Sequence, residues 1–108
     1  MLTQLDRLTF GRKEPDGSFI EPDDWARFEA DHIAPAFPAG YTVIHAEGAW
    51  QDAKSGHPVH EPATIVEIAH DGSEETVRAL LAVARVYKVL FNQDAVMRST
   101  VPVQVDFI

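Results

Sequence analysis

Residues 63–91 read ATIVEIAHDGSEETVRALLAVARVYKVLF, and the fold turns on how this stretch is divided. Its opening alternates: Thr64, Val66 and Ile68 share one face, while Ile65, Glu67 and Ala69 share the other, the two-residue period of a strand. Asp71-Gly72-Ser73 then supplies a turn and a helix cap, with Glu74 and Glu75 at the positive end of the helix dipole. From Val77 the period lengthens. Val77, Leu80, Leu81, Ala84, Lys88 and Phe91 form an inward stripe, with Lys88 snorkelling from its margin. Arg85 and Lys88 suit the negative end, and Asn92 terminates the helix.

Working outward, Tyr41–Gln51 alternates as a second strand, joined to the first by a polar connection from Asp52 to Glu61, so the two read as a long hairpin. After the helix, a strand starting near Ala95 places Met97, Ser99, Val101, Val103, Val105 and Phe107 on one face. Pro102 lacks a backbone donor, which assigns this strand to a sheet edge. Toward the N-terminus, Gln4–Gly11 is a strand with Leu8 and Phe10 on one side and Leu5, Arg7 and Thr9 on the other. Pro15-Asp16-Gly17 is turn chemistry. A helix begins near Pro22, carries Trp25, Phe28 and His32 on one stripe, and is expected to stop at Pro35 and Pro38. The order βαββαβ is that of a ferredoxin-like split βαβ, one α+β domain over residues 1–108. A four-stranded antiparallel sheet in the order four, one, three, two then carries both helices on one face.

Bulk composition narrows the function. The net charge of −8 repels nucleic-acid backbones and anionic membranes, and no Lys/Arg cluster opposes it. The absence of cysteine removes disulfides, thiolate nucleophiles and cysteine metal sites. Met1–Arg7 does not follow the pattern of a secretory leader, and no apolar run spans a bilayer, so a cytoplasmic protein is expected.

The uncovered sheet face is the expected site. Sending Ile44, Trp50, Val66, Ile68, Val101, Val103 and Phe107 toward the helices leaves Arg7, Tyr41, His45, Glu47, Glu67 and Arg98 on the opposite face, among Leu5, Val43 and Ile65. A mixed apolar and ionisable face is a good pocket wall. On this reading His45, between the carboxylates Glu47 and Glu67, is an acid or base near neutral pH. Arg98 or Arg7 holds a substrate carboxylate or an enolate-like charge. The plain alternative is a solvated face of cross-strand ion pairs. A weaker candidate is the His57-x-x-His60-Glu61 loop, which offers metal ligands for a hydrolase but lacks the helical spacing of a zinc protease, so no metal is assigned. Tyr87 is expected with its hydroxyl in solvent and His70 exposed at a turn. No serine has the context of a nucleophile.

Several motifs run through the chain: Phe10-Gly11-Arg12 with Pro15-Asp16-Gly17, Trp25-x-x-Phe28, Phe37-Pro38-x-Gly40, Gly48-x-Trp50, and Tyr87-Lys88-x-x-Phe91-x-Gln93-x-x-Val96-x-Arg98. Together they resemble a bacterial family of short proteins catalogued as a domain of unknown function. The resemblance implies no activity. It draws attention to Arg12 and Gln93 as ligand-binding positions, expected at opposite ends of the sheet.

The leading expectation is a homodimeric small-molecule-binding domain in the manner of dimeric α+β barrels. Its chemistry, if any, is that of an isomerase, a lyase or a cofactor-free oxygenase. The site would use His45, Glu47, Glu67 and Arg98, with Arg7, Arg12, Tyr41 and Gln93 binding ligand, and no cofactor. A non-catalytic interaction or regulatory module is the alternative.

Overall fold

The computed structural model describes residues Met1–Ile108. In chain order the elements are β1 (Gln4–Gly11), α1 (Pro22–Phe28), a π-helical turn (Glu29–Ile33), α2 (Ala34–Ala36), β2 (Thr42–Gln51), β3 (Pro58–His70), α3 (Glu74–Leu90) and β4 (Met97–Pro102). The strands form one antiparallel sheet, β2-β3-β1-β4, the ferredoxin-like order expected above and counted from the other edge. Pro102 closes the edge strand β4, where its missing donor costs no inner bond. The chain then leaves the strand, and Val103 N–H bonds the Thr3 carbonyl at 3.0 Å.

The first helical run does not stop at Pro35. In a regular α-helix a proline ring meets the carbonyl four residues back, here that of Asp31. The helix widens into the π-helical turn over Glu29–Ile33 and then carries Pro35 within α2. Both helical layers cover one sheet face. Leu8 and Phe10 of β1 and Val66 and Ile68 of β3 pack with Ile20, Trp25, Phe28, Ile33, Phe37, Leu80, Val83 and Tyr87 in one buried cluster. The ring of Phe10 lies 4.7 Å from Tyr87 and 5.2 Å from Trp25, tilted or edge-on to each.

Helix α3 is capped as expected, with Thr76 N–H donating to the Ser73 hydroxyl at 3.2 Å. Its inward stripe is rotated from the expected one: Leu80, Val83 and Tyr87 are buried, whereas Leu81 and Lys88 are exposed. Tyr87 is fully buried, and its hydroxyl donates to the Gly11 carbonyl at 2.6 Å instead of reaching solvent. Burial pushes its pKa above the usual phenol range.

Strand β3 also begins earlier than expected, at Pro58, so the last four residues of the polar connection, Pro58–Glu61, are strand. Pairing of β1 with β3 ends at Gly11–Ala63, while β2 and β3 stay paired out to Gln51–Pro58. Glu47–Gln51 and Pro58–Pro62 therefore form a two-stranded arm at one end of a molecule measuring 47 × 28 × 25 Å.

Pairing also decides which residues share a face. Val43 sits opposite Val66, Val66 opposite Leu8, and Leu8 opposite Arg98, so all four lie on the helix side. His45, Glu47 and Thr100 lie on that side as well. The uncovered face carries Ile44, Trp50, Met97 and Val101 instead. The expected face assignment is thus correct for β1 and β3 and inverted for β2 and β4.

Candidate functional site

Two helix-side arrangements and one cleft hold the chemistry-bearing residues. The first arrangement surrounds Asp6, which shares a face with Leu8 and Phe10 and is fully buried. A carboxylate on that face needs partners, and the neighbouring strands supply them. Arg98 Nε donates to Asp6 Oδ1 at 2.9 Å, the Thr100 hydroxyl donates to the same oxygen, and Gln4 Nε2 donates to Oδ2 at 3.0 Å. His70 Nε2 also meets Oδ2. The Gly72 N–H points at His70 Nδ1 at 2.9 Å, which assigns the ring proton to Nε2. Gly72 reaches this position with φ 80°, open to glycine at little cost.

Burial raises the pKa of Asp6, but hydrogen bonds from Arg98, Thr100, His70 and Gln4 outweigh it and hold the value at about 2. His70 is buried in this group, not exposed at a turn. With both ring nitrogens engaged, it has no free lone pair to act as a base. These contacts also explain the inverted face of β4: Asp6 draws Arg98 and Thr100 to the helix side.

The second arrangement gathers the motif residues. Arg12 is buried, and its Nε and one terminal nitrogen both donate to the Ile20 carbonyl, at 3.0 and 2.8 Å. Gln93 Nε2 donates to the carbonyls of Lys13 and Phe91, each at 2.9 Å. Arg12 and Gln93 therefore lie at the same end of the sheet, contrary to the expectation. Antiparallel neighbours bring the exit of β1 beside the entry to β4, as the pairing of Thr9 with Met97 shows. With Tyr87 bonded to Gly11, these positions lock the loop after β1 against the end of α3.

The uncovered face has a different character. Its rows run Ile44-Ile65-Thr9-Met97, then Thr42-Glu67-Arg7-Ser99, then Ala69-Leu5-Val101. Arg7 donates to Glu67 Oε2 at 3.1 Å. A cleft of about 340 Å³ opens here, lined by Leu2, Leu5, Ala39, Gly40, Tyr41, Thr42, Glu67, Ala69 and Phe107. Glu67 is its one charged lining residue. A smaller depression of about 120 Å³ shares Leu5 and adds Arg7, Ser99 and Val101.

Of the expected site residues, Arg7 and Glu67 meet on this face. Tyr41 packs against the core and donates its hydroxyl to Glu29 Oε2 at 3.0 Å, while also bordering the cleft. His45 and Glu47 lie across the sheet from Glu67, so the imidazole does not stand between the two carboxylates. His45 Nδ1 lies 3.2 Å from the Thr64 hydroxyl, and Glu47 lies 3.4 Å from His60 Nδ1. His60 and Glu61 are consecutive strand residues on opposite faces, which divides the His57-x-x-His60-Glu61 loop. No three His, Asp or Glu side chains stand close enough to share a metal ion. Asp6, Thr100 and Thr42 were not singled out by the sequence, whereas Leu5 was expected on the uncovered face and lies there. Asp6 had a signal, as a carboxylate alternating with Leu8 and Phe10.

A family model described as "Protein of unknown function (DUF3574)" matches residues 5–107. No curated protein matches the sequence. Among solved structures, a phage SAM lyase in complex with S-methyl-5′-thioadenosine is similar at TM-score 0.67 and 17% identity, over 93% of this chain and 81% of that one. The B. subtilis GlnK–ATP complex is similar at TM-score 0.58 and 9% identity, over 94% and 84%. Divalent ion tolerance protein CutA1 from Ehrlichia chaffeensis is similar at TM-score 0.55 and 10% identity, over 99% and 87%. At these identities the likeness is one of fold. No helix is long and apolar enough to cross a membrane.

Proposed function

We propose that this chain, which belongs to the DUF3574 family of proteins of unknown function, binds a nucleoside-type small molecule in the open-face cleft. The observation that carries the reading is the cleft itself: about 340 Å³, with Leu5 and Ala69 among its apolar lining and Glu67 as its single charge. That volume falls within the range of small-molecule sites. A carboxylate with two acceptor oxygens suits the vicinal hydroxyls of a ribose. Two of the similar structures hold adenosine compounds, S-methyl-5′-thioadenosine and ATP, which supports the ligand class.

Charge selects within that class. The cleft lining offers no cation of its own, its one charged group is the Glu67 carboxylate already paired with Arg7, and the chain carries a net charge of −8, which disfavours a polyphosphate and favours a neutral or cationic nucleoside. S-methyl-5′-thioadenosine and its sulfonium relative S-adenosylmethionine are therefore preferred to ATP. The homodimer expected from the sequence belongs to the same reading.

Titration calorimetry tests it. S-methyl-5′-thioadenosine is expected to bind the wild-type protein and ATP to bind far more weakly. Leu5→Trp, which fills the cleft, is expected to abolish binding, and Glu67→Gln to weaken it about tenfold, the loss of one charge-assisted hydrogen bond. Binding that survives Leu5→Trp unchanged, or no binding of either nucleoside, overturns the reading.

A further inference from the structure

The two edges of the sheet are guarded unequally. β4 has six residues and ends in proline, whereas β2 has ten residues and contains neither proline nor lysine. A long unguarded edge is a template for another strand. The β2 sequence, Thr-Val-Ile-His-Ala-Glu-Gly-Ala-Trp-Gln, is also complementary to itself.

We propose that a second copy of this chain pairs antiparallel along β2, about a two-fold axis at Ala46, and brings its Trp50 to the border of the cleft. The second part rests on the ligand reading above; the pairing does not. With the axis perpendicular to the sheet, opposed residues share a face, so the axis must pass through a residue. At Ala46, His45 opposes the partner's Glu47 and Glu47 opposes the partner's His45, giving two imidazole–carboxylate pairs. Val43 opposes the partner's Ala49, and Ile44 opposes the partner's Gly48. An axis at Glu47 sets carboxylate against carboxylate, and one at His45 sets imidazole against imidazole with Glu47 against Val43. Among the three central registers, Ala46 alone joins unlike groups. Both groups reach solvent beside their own-chain contacts with Thr64 and His60: His45 is exposed, and the Glu47 side chain is 68% exposed.

The same register sets Thr42, which lines the cleft, opposite the partner's Trp50 on the uncovered face. Trp50 is 49% exposed on the β2–β3 arm, so its ring has apolar surface left to cover. Opposed side chains start about 5 Å apart at Cβ, so the indole stands at the cleft margin. Each copy thereby supplies an aromatic wall to the other's site.

The chain has no cysteine, so single-cysteine cross-linking gives a clean test. Ala46→Cys is expected to oxidise to a covalent dimer, because opposed residues of antiparallel strands lie about 4.5–5.5 Å apart at Cα, within disulfide range. Ala49→Cys faces the partner's Val43 and is expected to stay monomeric under denaturing conditions. In sedimentation, His45→Glu is expected to loosen the wild-type dimer about tenfold by opposing like charges twice, and exchanging the pair (His45→Glu with Glu47→His) to restore it. A monomeric wild type, a trimer or larger ring, or equal cross-linking at both positions overturns the pairing. Trp50→Ala is expected to weaken S-methyl-5′-thioadenosine binding while leaving Ala46→Cys cross-linking intact. If binding is lost with Leu5→Trp but unchanged with Trp50→Ala, the aromatic wall is overturned and the cleft stands. If the nucleoside does not bind the wild type, the aromatic wall falls with the cleft, and the cross-link still decides the pairing.

Discussion

Asp6 and Arg7 are consecutive residues of β1, point to opposite sides of one sheet, and each meets an opposite charge. Their circumstances otherwise differ. Asp6 is fully buried and accepts from groups on three sides, whereas the Arg7 side chain is 47% exposed and meets Glu67 alone. Water screens the second pair more than the first, where Asp6 is fully buried and the Arg98 side chain is 31% exposed. The side where ionisable residues are most tightly organised is therefore the side where they are least free to act. The open face, with one ion pair among apolar rows, is where a ligand can enter.

The sharpest way to break this comparison is Asp6→Ala. It leaves Arg98 and His70 facing a buried gap and is expected to cost about 3–5 kcal/mol, read by denaturant unfolding. A cost below about 1 kcal/mol would place Asp6 in the same class as Arg7. The pH dependence of stability measures the same group without mutation. The folded value of about 2 lies below the ordinary 3.8, so the contribution is complete above about pH 5 and is lost as pH falls toward 2. The loss is expected to be about 2 kcal/mol and to vanish in Asp6→Asn.

Tyr87→Phe sharpens the comparison at the motif corner. Removing the hydroxyl leaves the Gly11 carbonyl unpaired and is expected to cost about 1–2 kcal/mol by thermal unfolding. Arg7→Ala stands at the small end, with an expected change under about 1 kcal/mol that shrinks further in added salt.

Which of these differences the sequence reveals depends on where a strand lies. β1 and β3 are central, and one face of each meets the helices. Leu8, Phe10, Val66 and Ile68 therefore announced the buried side by alternation alone. β2 and β4 are edges, largely wet on both sides. In β2 the set Thr42, Ile44, Ala46, Gly48 and Trp50 is no less apolar than Val43, His45, Glu47 and Ala49, so periodicity offered no reason to choose the second set for the helix side. The candidate site divides the same way. Arg7 and Glu67, on central strands, were correctly placed together; His45, Glu47 and Arg98, on edge strands, were not.

The chain alone determined the order of elements, the cap at Ser73, the edge position of the Pro102 strand and the family motifs, because each is written in neighbouring residues. Tertiary structure alone decided the face of each edge strand and the partners of Asp6. His70 and Arg98 reach that carboxylate across 64 and 92 residues of sequence. No local pattern encodes a contact that exists only after the sheet has closed, and the need of a buried charge for partners is what pulls those distant residues into place.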